Sequence, residues 1–263
     1  MPFILVSIFV FVSGAILGSF FNVCIHRLPR EESVVLPASH CPACQKAIAW
    51  YDNIPLLSLL WLKGRCRNCG ALIAPRYFAV ELATAVFYLW IWFYFGWTLQ
   101  ALVTAVLFSL LLIATVVDLE HQIIPDEVSV GGLAAGILLS ALIPSLHGKE
   151  IWWQGFLSAV IGMLAGGGLI YGTGVLGTLI FRKDAMGGGD VKLMAMLGTF
   201  LGWQNVILVY LLAPLLALPL GLFLKFAKRI DVMPYGPFIS LAGWMSFVWG
   251  HQWIAWYFGR MGF

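Results

Sequence analysis

Four cysteines and two aspartates in this sequence have the types and the spacing that chemistry needs. Cys41-Pro42-Ala43-Cys44 and Cys66-Arg67-Asn68-Cys69 are two C-x-x-C pairs with 21 residues between them. Each pair closes a tight knuckle that aims two thiolates at one ion, and two knuckles complete a tetrahedral site. The spacing therefore predicts a structural zinc held by Cys41, Cys44, Cys66 and Cys69, with no position left for a catalytic water. A disulfide framework or a redox C-x-x-C is the competing reading, and the doubled motif and a reducing compartment argue against both. His40 reads as a bystander, and Cys24, alone in an apolar stretch, as a small buried hydrophobe.

The two aspartates stand at the edges of apolar runs. Asp118 follows Leu111-Leu112-Ile113-Ala114-Thr115-Val116-Val117 at a helix C-terminus, where a negative charge opposes the helix dipole. Asp190 ends Gly187-Gly188-Gly189-Asp190 and precedes another apolar run. The competing reading of Asp118 is a solvated helix end, and that of Asp190 an N-cap. Three consecutive glycines exceed what a cap needs, and they let a substrate backbone approach closely. Two boundary carboxylates sharing one proton supply a base that activates water and an acid that donates to a scissile carbonyl. A transporter using the same acids is the alternative, but such residues usually lie near the bilayer midplane within repeated half-helices, and no repeat is visible. Glu120 and Asp126 suit the solvated reading, with Pro125 stopping one helix and Asp126 capping the next. Glu81, five residues after Arg76, reads as a functional intramembrane acid or as the partner of a nearby base.

The elements that position these residues follow from composition. Of 263 residues 61% are hydrophobic and 10% charged, with twelve Trp and nineteen Phe, and the mean hydropathy is +0.93. Soluble domains carry about 25% charged residues, so a cytosolic enzyme, a disulfide scaffold and a disordered regulator are excluded. The fold class is an all-α polytopic membrane protein, with no feature that addresses nucleic acid. Charge-free runs cover residues 1–25, 82–117, 128–146, 151–181, 193–224 and 232–259. At about 20 residues per crossing, the second run gives two helices broken near Gly96-Trp97. The fifth gives one tilted crossing, or two short legs turned at Gly202-Trp203-Gln204-Asn205, both crossing or one of them re-entrant. Two crossings put thirteen of the fifteen basic residues on one side, with Lys149 and Arg260 on the other. The positive-inside rule then favours eight helices, both termini outside and residues 26–76 in the cytoplasm.

The expected organisation is a first helix (1–25), a zinc-ribbon-like insertion (26–76) and a membrane domain of about seven helices (77–263) carrying both aspartates at cytoplasmic ends. The first helix lacks a basic n-region and a small-residue cleavage site, so it reads as retained and not as a signal peptide. An insertion of some fifty residues has too little core of its own, so metal binding would supply folding free energy. Trp152, Trp153, Trp253, Trp256 and Tyr257 read as interface belts. The glycines of Gly166-Gly167-Gly168, with Gly172 and Gly174, read as helix-packing sites. Lys225, Lys228 and Arg229 read as lipid contacts or topology determinants.

Taken together the motifs resemble one family, the type IV prepilin peptidases, which are GxGD-type intramembrane aspartic proteases. The first-helix segment Gly18-Ser19-Phe20-Phe21-Asn22-Val23 with Arg27-Leu28-Pro29 is similar to the family's. So are the double C-x-x-C module around Asn53-Ile54-Pro55-Leu56-Leu57-Ser58 and Asp118-Leu119-Glu120-His121 with Ile124-Pro125-Asp126. Gly187-Gly188-Gly189-Asp190-Val191-Lys192-Leu193 and Pro234-Tyr235-Gly236-Pro237-Phe238 complete the likeness. The resemblance implies that Asp118 and Asp190 are catalytic and that the protein lies in the bacterial inner membrane. It implies substrates that are prepilin and pseudopilin precursors of type IV pili and type II secretion, cut after a Gly at the cytoplasmic face. It further implies methylation of the new N-terminus with S-adenosylmethionine. No Gly-rich nucleotide loop marks a donor pocket, and the expected place is beside the cysteine module, with Glu81 a candidate contributor.

Overall fold

The computed structural model describes residues 2–182, 186–224 and 233–260. Lys183, Lys225, Lys228 and Arg229, to which the charge pattern assigns topology or lipid contacts, lie outside the described residues. The described residues are almost wholly helical, with only two isolated antiparallel bridges, His40 with Ala47 and Arg65 with Leu72. The helices are α1 (Pro2–Arg27), α2 (Leu57–Trp61), α3 (Pro75–Phe95), α4 (Leu99–His121), α5 (Asp126–Leu142), α6 (Trp152–Phe181), α7 (Gly188–Phe223) and α8 (Gly236–Arg260). Five of them, α1, α3, α4, α6 and α7, are long and apolar enough to cross a membrane, so the chain is a multi-pass membrane protein. The outward apolar side chains of α1 (Phe3, Ile4, Leu5 and Phe9 among them) stay exposed to whatever surrounds the protein, as lipid-facing residues do.

Helix limits follow local chemistry more closely than charge counting does. α3 starts at Pro75, seven residues before the charge-free run, because proline at the first position suits a helix start and Arg76 and Glu81 are carried inside the helix. α3 and α4 separate at Gly96, as the Gly96-Trp97 break predicts. α5 ends at Leu142 because Pro144 cannot continue it. The N-cap of α5 is Pro125, without any side-chain cap. The expected cap by Asp126 is therefore not made; Asp126 pairs with Lys192 at 2.5 Å instead.

Two compact units divide within α4, at residues 109 and 110. In the first, α1 packs on α3 at glycines: a Cβ on Gly14 would lie 2.8 Å from the Ala85 Cα, and one on Gly18 2.7 Å from the Glu81 Cα. Phe87 stacks on Phe108 with centroids 3.6 Å apart, and the Tyr88 hydroxyl pairs with the Ser109 hydroxyl at 2.9 Å.

In the second unit the organising pair is α6 and α7. Gly202, with φ 75°, breaks α7 into two legs, and its backbone is one that L side chains rarely adopt. Contacts on α6 show which way the legs run. Gly166 sits against the Met194 carbonyl and the Val206 side chain, and Gly162 against the Gly198 carbonyl and the Gly202 backbone. Moving one turn along α6 thus moves both legs toward Gly202, so the chain reverses there and both legs lie on α6. Among the described residues this makes eight long helical segments. A Cβ on Gly162 would collide with the Gly198 carbonyl oxygen, and one on Gly198 with the Gly162 carbonyl oxygen. Of the glycines read as packing sites, Gly166 meets the Met194 carbonyl, Gly167 the Ala195 side chain and Gly174 the Met186 side chain, whereas Gly168 and Gly172 have open space.

Gly162→Val should therefore lower stability by at least the roughly 1–3 kcal/mol typical of overpacking, while Gly172→Ala leaves it within about 0.5 kcal/mol. Thermal unfolding of the detergent-solubilised variants checks this.

Candidate active site and cysteine cluster

The module after α1 builds two copies of one turn. The Cys41 N–H donates to the Lys46 carbonyl and the Gln45 N–H to the Cys41 carbonyl, at 3.0 and 2.8 Å. The second knuckle repeats this, Cys66 to Ala71 at 2.8 Å and Gly70 to Cys66 at 2.9 Å. The residue after each second cysteine, Gln45 or Gly70, takes a positive φ that folds the turn back. Four sulfurs are thereby gathered within 4.8 Å of one another, with Cys41 and Cys69 3.9 Å apart. All four are free thiols. An ion bound tetrahedrally at about 2.3 Å would separate its sulfurs by about 3.8 Å, so the donor set and spacing fit one soft divalent metal. His40 contributes nothing to the cluster.

Taken by themselves, the thiols divide. N–H groups of Cys69 and Asn68 draw Cys66 down to about 7. An Ala71 N–H also draws on Cys69, but desolvation and the other sulfurs outweigh it and send that thiol up to about 11. A divalent cation removes the conflict by favouring every thiolate. Arg67, inside the second knuckle, grips Asp52 through two hydrogen bonds of 2.7 and 2.6 Å and holds its carboxyl below the usual range. At the other end, buried Arg27 donates to the carbonyls of Ser33 and Pro37. Glu81, 8% exposed, accepts the Leu56 N–H at 2.7 Å and a bond from the Ser19 side chain. Leu56 is held at φ 63°, a costly conformation for a non-glycine residue. The structure thus gives Glu81 backbone and hydroxyl partners.

The aspartates lie in the second unit. Asp118 is 5% exposed in the last turn of α4, so the solvated helix end is excluded. Its Oδ2 accepts the Gly236 N–H at 2.8 Å. Gly236 opens α8, and the positive end of one helix dipole therefore offsets the unfavourable placement at the end of another. A Cβ at position 236 would lie 2.8 Å from that oxygen, which explains the glycine. Asp190 is half-buried in the first turn of α7, whose N-cap is Gly187 and not Asp190. Its carboxylate turns back to the Gly187 N–H and lies within electrostatic reach of Asp118. The three glycines are unequal: Gly189 packs on Ile124, while Gly188 faces open space. Lys192 and Asp126 tie the same turn of α7 to the start of α5. Tyr235 completes the site. Burial, aided by the charge of Asp190 and by Tyr210, pushes its phenol up to about 12, so it stands as a neutral O–H. Its only sequence signal is its place beside Gly236.

Residues 12–95 match the family described as "Bacterial Peptidase A24 N-terminal domain" and residues 105–222 the "Type IV leader peptidase family". A "Prepilin leader peptidase/N-methyltransferase" of Aeromonas hydrophila is 36% identical, covering 94% of this chain and 92% of its own. The chain belongs to the type IV leader peptidase family. The Pseudomonas aeruginosa protein of the same name is 35% identical over 91% of this chain and 89% of its own. That of Myxococcus xanthus is 39% identical over 85% of this chain, which spans only 64% of that relative's length. No solved structure matches. Relatives of this kind leave the transporter alternative unsupported.

Metal analysis of the purified chain should return about one divalent ion, with Cys66→Ser losing most of it. Asp52→Asn should keep the ion and loosen only the Arg67 contact, seen as faster proteolytic nicking of the module.

Proposed function

We propose that this chain removes the leader peptide from prepilin and pseudopilin precursors with Asp118 and Asp190 as a catalytic pair. The observation that carries this is a buried carboxylate, Asp118, held by one backbone N–H within the electrostatic reach of a second carboxylate. Like charges that act on one another disfavour double ionisation, and a pair sharing one proton holds one acid and one base. The ionised carboxylate takes a proton from water as the oxygen attacks the scissile carbonyl. The protonated partner donates to the carbonyl oxygen and, on collapse of the tetrahedral intermediate, the amine leaves with a proton. The open face of Gly188 leaves room for a substrate backbone beside Asp190.

In this reading the protein sits in the bacterial inner membrane, with the cysteine module and both aspartates on the cytoplasmic side. Thirteen basic residues on that side support the orientation. Residues 1–25 anchor the chain, 26–76 form the zinc module and 77–263 the peptidase domain. Zinc at Cys41, Cys44, Cys66 and Cys69 is structural, because all four positions are protein ligands. The precursor's apolar segment enters from the bilayer while its leader remains in the cytoplasm. The new N-terminus is then methylated; S-adenosylmethionine, when bound, supplies an electrophilic methyl group. The names of the relatives support both activities.

Asp118→Asn and Asp190→Asn should each reduce leader removal at least a thousandfold while the chain stays inserted and keeps its Tm within a few degrees. The assay is cleavage of a purified precursor, followed by gel mobility. Near-normal cleavage by either variant rejects the pair.

A further inference from the structure

The first unit holds a cavity of about 360 Å³ between α1, α3 and the cysteine module, within the usual size of small-molecule sites. Its wall carries His26, Arg27, Arg67 and Arg76 as well as Asp52 and Glu81. Asp52 is bound by Arg67, and Arg27 by two backbone carbonyls. Two acceptors differ in kind: the Glu81 carboxylate takes neutral donors, the Leu56 N–H and the Ser19 side chain, and Asn22 keeps an oxygen with none. Asn22 is 1% exposed, and its amide nitrogen donates to the Tyr77 and Gly18 carbonyls. Its oxygen is buried with no partner, which costs about 1–3 kcal/mol unless something fills it. Across the α1–α3 seam, Glu81 brings a carboxylate to the same cavity. A wall that is mostly apolar, with an amide oxygen and a carboxylate at one pole, suits an organic cation with hydrogen-bond donors.

We propose that this cavity is the methyl-donor site, taking S-adenosylmethionine with its sulfonium and α-ammonium toward Asn22 and Glu81. The proposal rests on the methyltransferase reading above and narrows the expected place beside the cysteine module to one cavity, with Asn22 joining Glu81. A second recess of about 500 Å³, lined by Ile16, Phe20, Val34 and Val35, shares Ser19 and Val23 with the first. Two adjoining cavities are what a two-substrate transfer requires, the second receiving an apolar N-terminal residue. In the transfer the neutral amine's lone pair forms the N–C bond, and the C–S bond breaks with its electron pair left on sulfur. The positive charge passes from sulfur to nitrogen, so the acceptor pole faces a cation before and after. The methylated ammonium loses its proton to water on release.

The test uses the full chain in detergent, equilibrium dialysis with tritiated S-adenosylmethionine, and leader removal as the folding control. Glu81→Gln keeps size and an oxygen for the Leu56 N–H but removes the charge; Ser58→Trp fills the cavity from the module side. Wild type should bind the donor, and both variants should bind at least tenfold more weakly while cutting precursor at the wild-type rate. Wild-type binding retained in both variants puts the donor elsewhere and overturns the proposal, leaving the methyltransferase reading intact. Wild type that neither binds donor nor methylates pre-cleaved pilin overturns both. Should the variants misfold, ultraviolet cross-linking of labelled donor to wild type decides: label within residues 19–81 supports the site, and label elsewhere overturns it.

Discussion

The hydrogen bond from the Gly236 N–H to Asp118 is the contact on which the rest of the second unit depends. A carboxylate at the C-terminus of an apolar helix faces that helix's own negative pole, and burial makes the placement costlier. One charge-assisted backbone bond from the first residue of α8 offsets much of that cost. It also dictates composition, since a side chain at position 236 would occupy the oxygen's space. The end of α4 and the start of α8 are therefore fixed together, and Tyr235, next to Gly236, comes within electrostatic reach of Asp190.

Asp190 reaches that place by a different device. Its helix is pressed on α6 at glycines so small that backbone meets backbone, and it turns back at Gly202 before it becomes one long span. His147 stands over that turn, its Nδ1 3.1 Å from where a Cβ would be, and its Nε2 pairs with the buried Ser140 hydroxyl at 2.9 Å. Ser140 in turn donates to the Thr199 carbonyl. Polar contacts at one end of the hairpin and close glycine packing along it hold the first turn of α7 in register, where the carboxylate is needed.

Much of this was legible in the residues. Apolar run lengths gave the helices, Gly96 and the Gly202 region gave two breaks, and the C-x-x-C spacing gave the four-sulfur cluster. Asp118 and Asp190 stood out because they edge apolar runs. What could not be read was anything set by partners distant in sequence. Asp126 looked like a cap, but Lys192, 66 positions on, claims it. Glu81 invited pairing with a neighbouring base, but the fold supplies the Leu56 N–H. Asn22 was visible only as part of the first-helix resemblance, because an asparagine in an apolar helix reads alike whether or not its oxygen is satisfied. Gly236 and Tyr235 were visible only as part of a resemblance, since nothing local says which carboxylate they meet.

The pH dependence of kcat/KM for leader removal from a purified precursor tests whether the two carboxylates work as one titrating unit. A pair sharing a proton predicts a bell, falling in acid as both groups become protonated and in alkali as both ionise, with two apparent pKa values that belong to the pair. A rate that climbs with pH to a plateau and never falls would contradict the account.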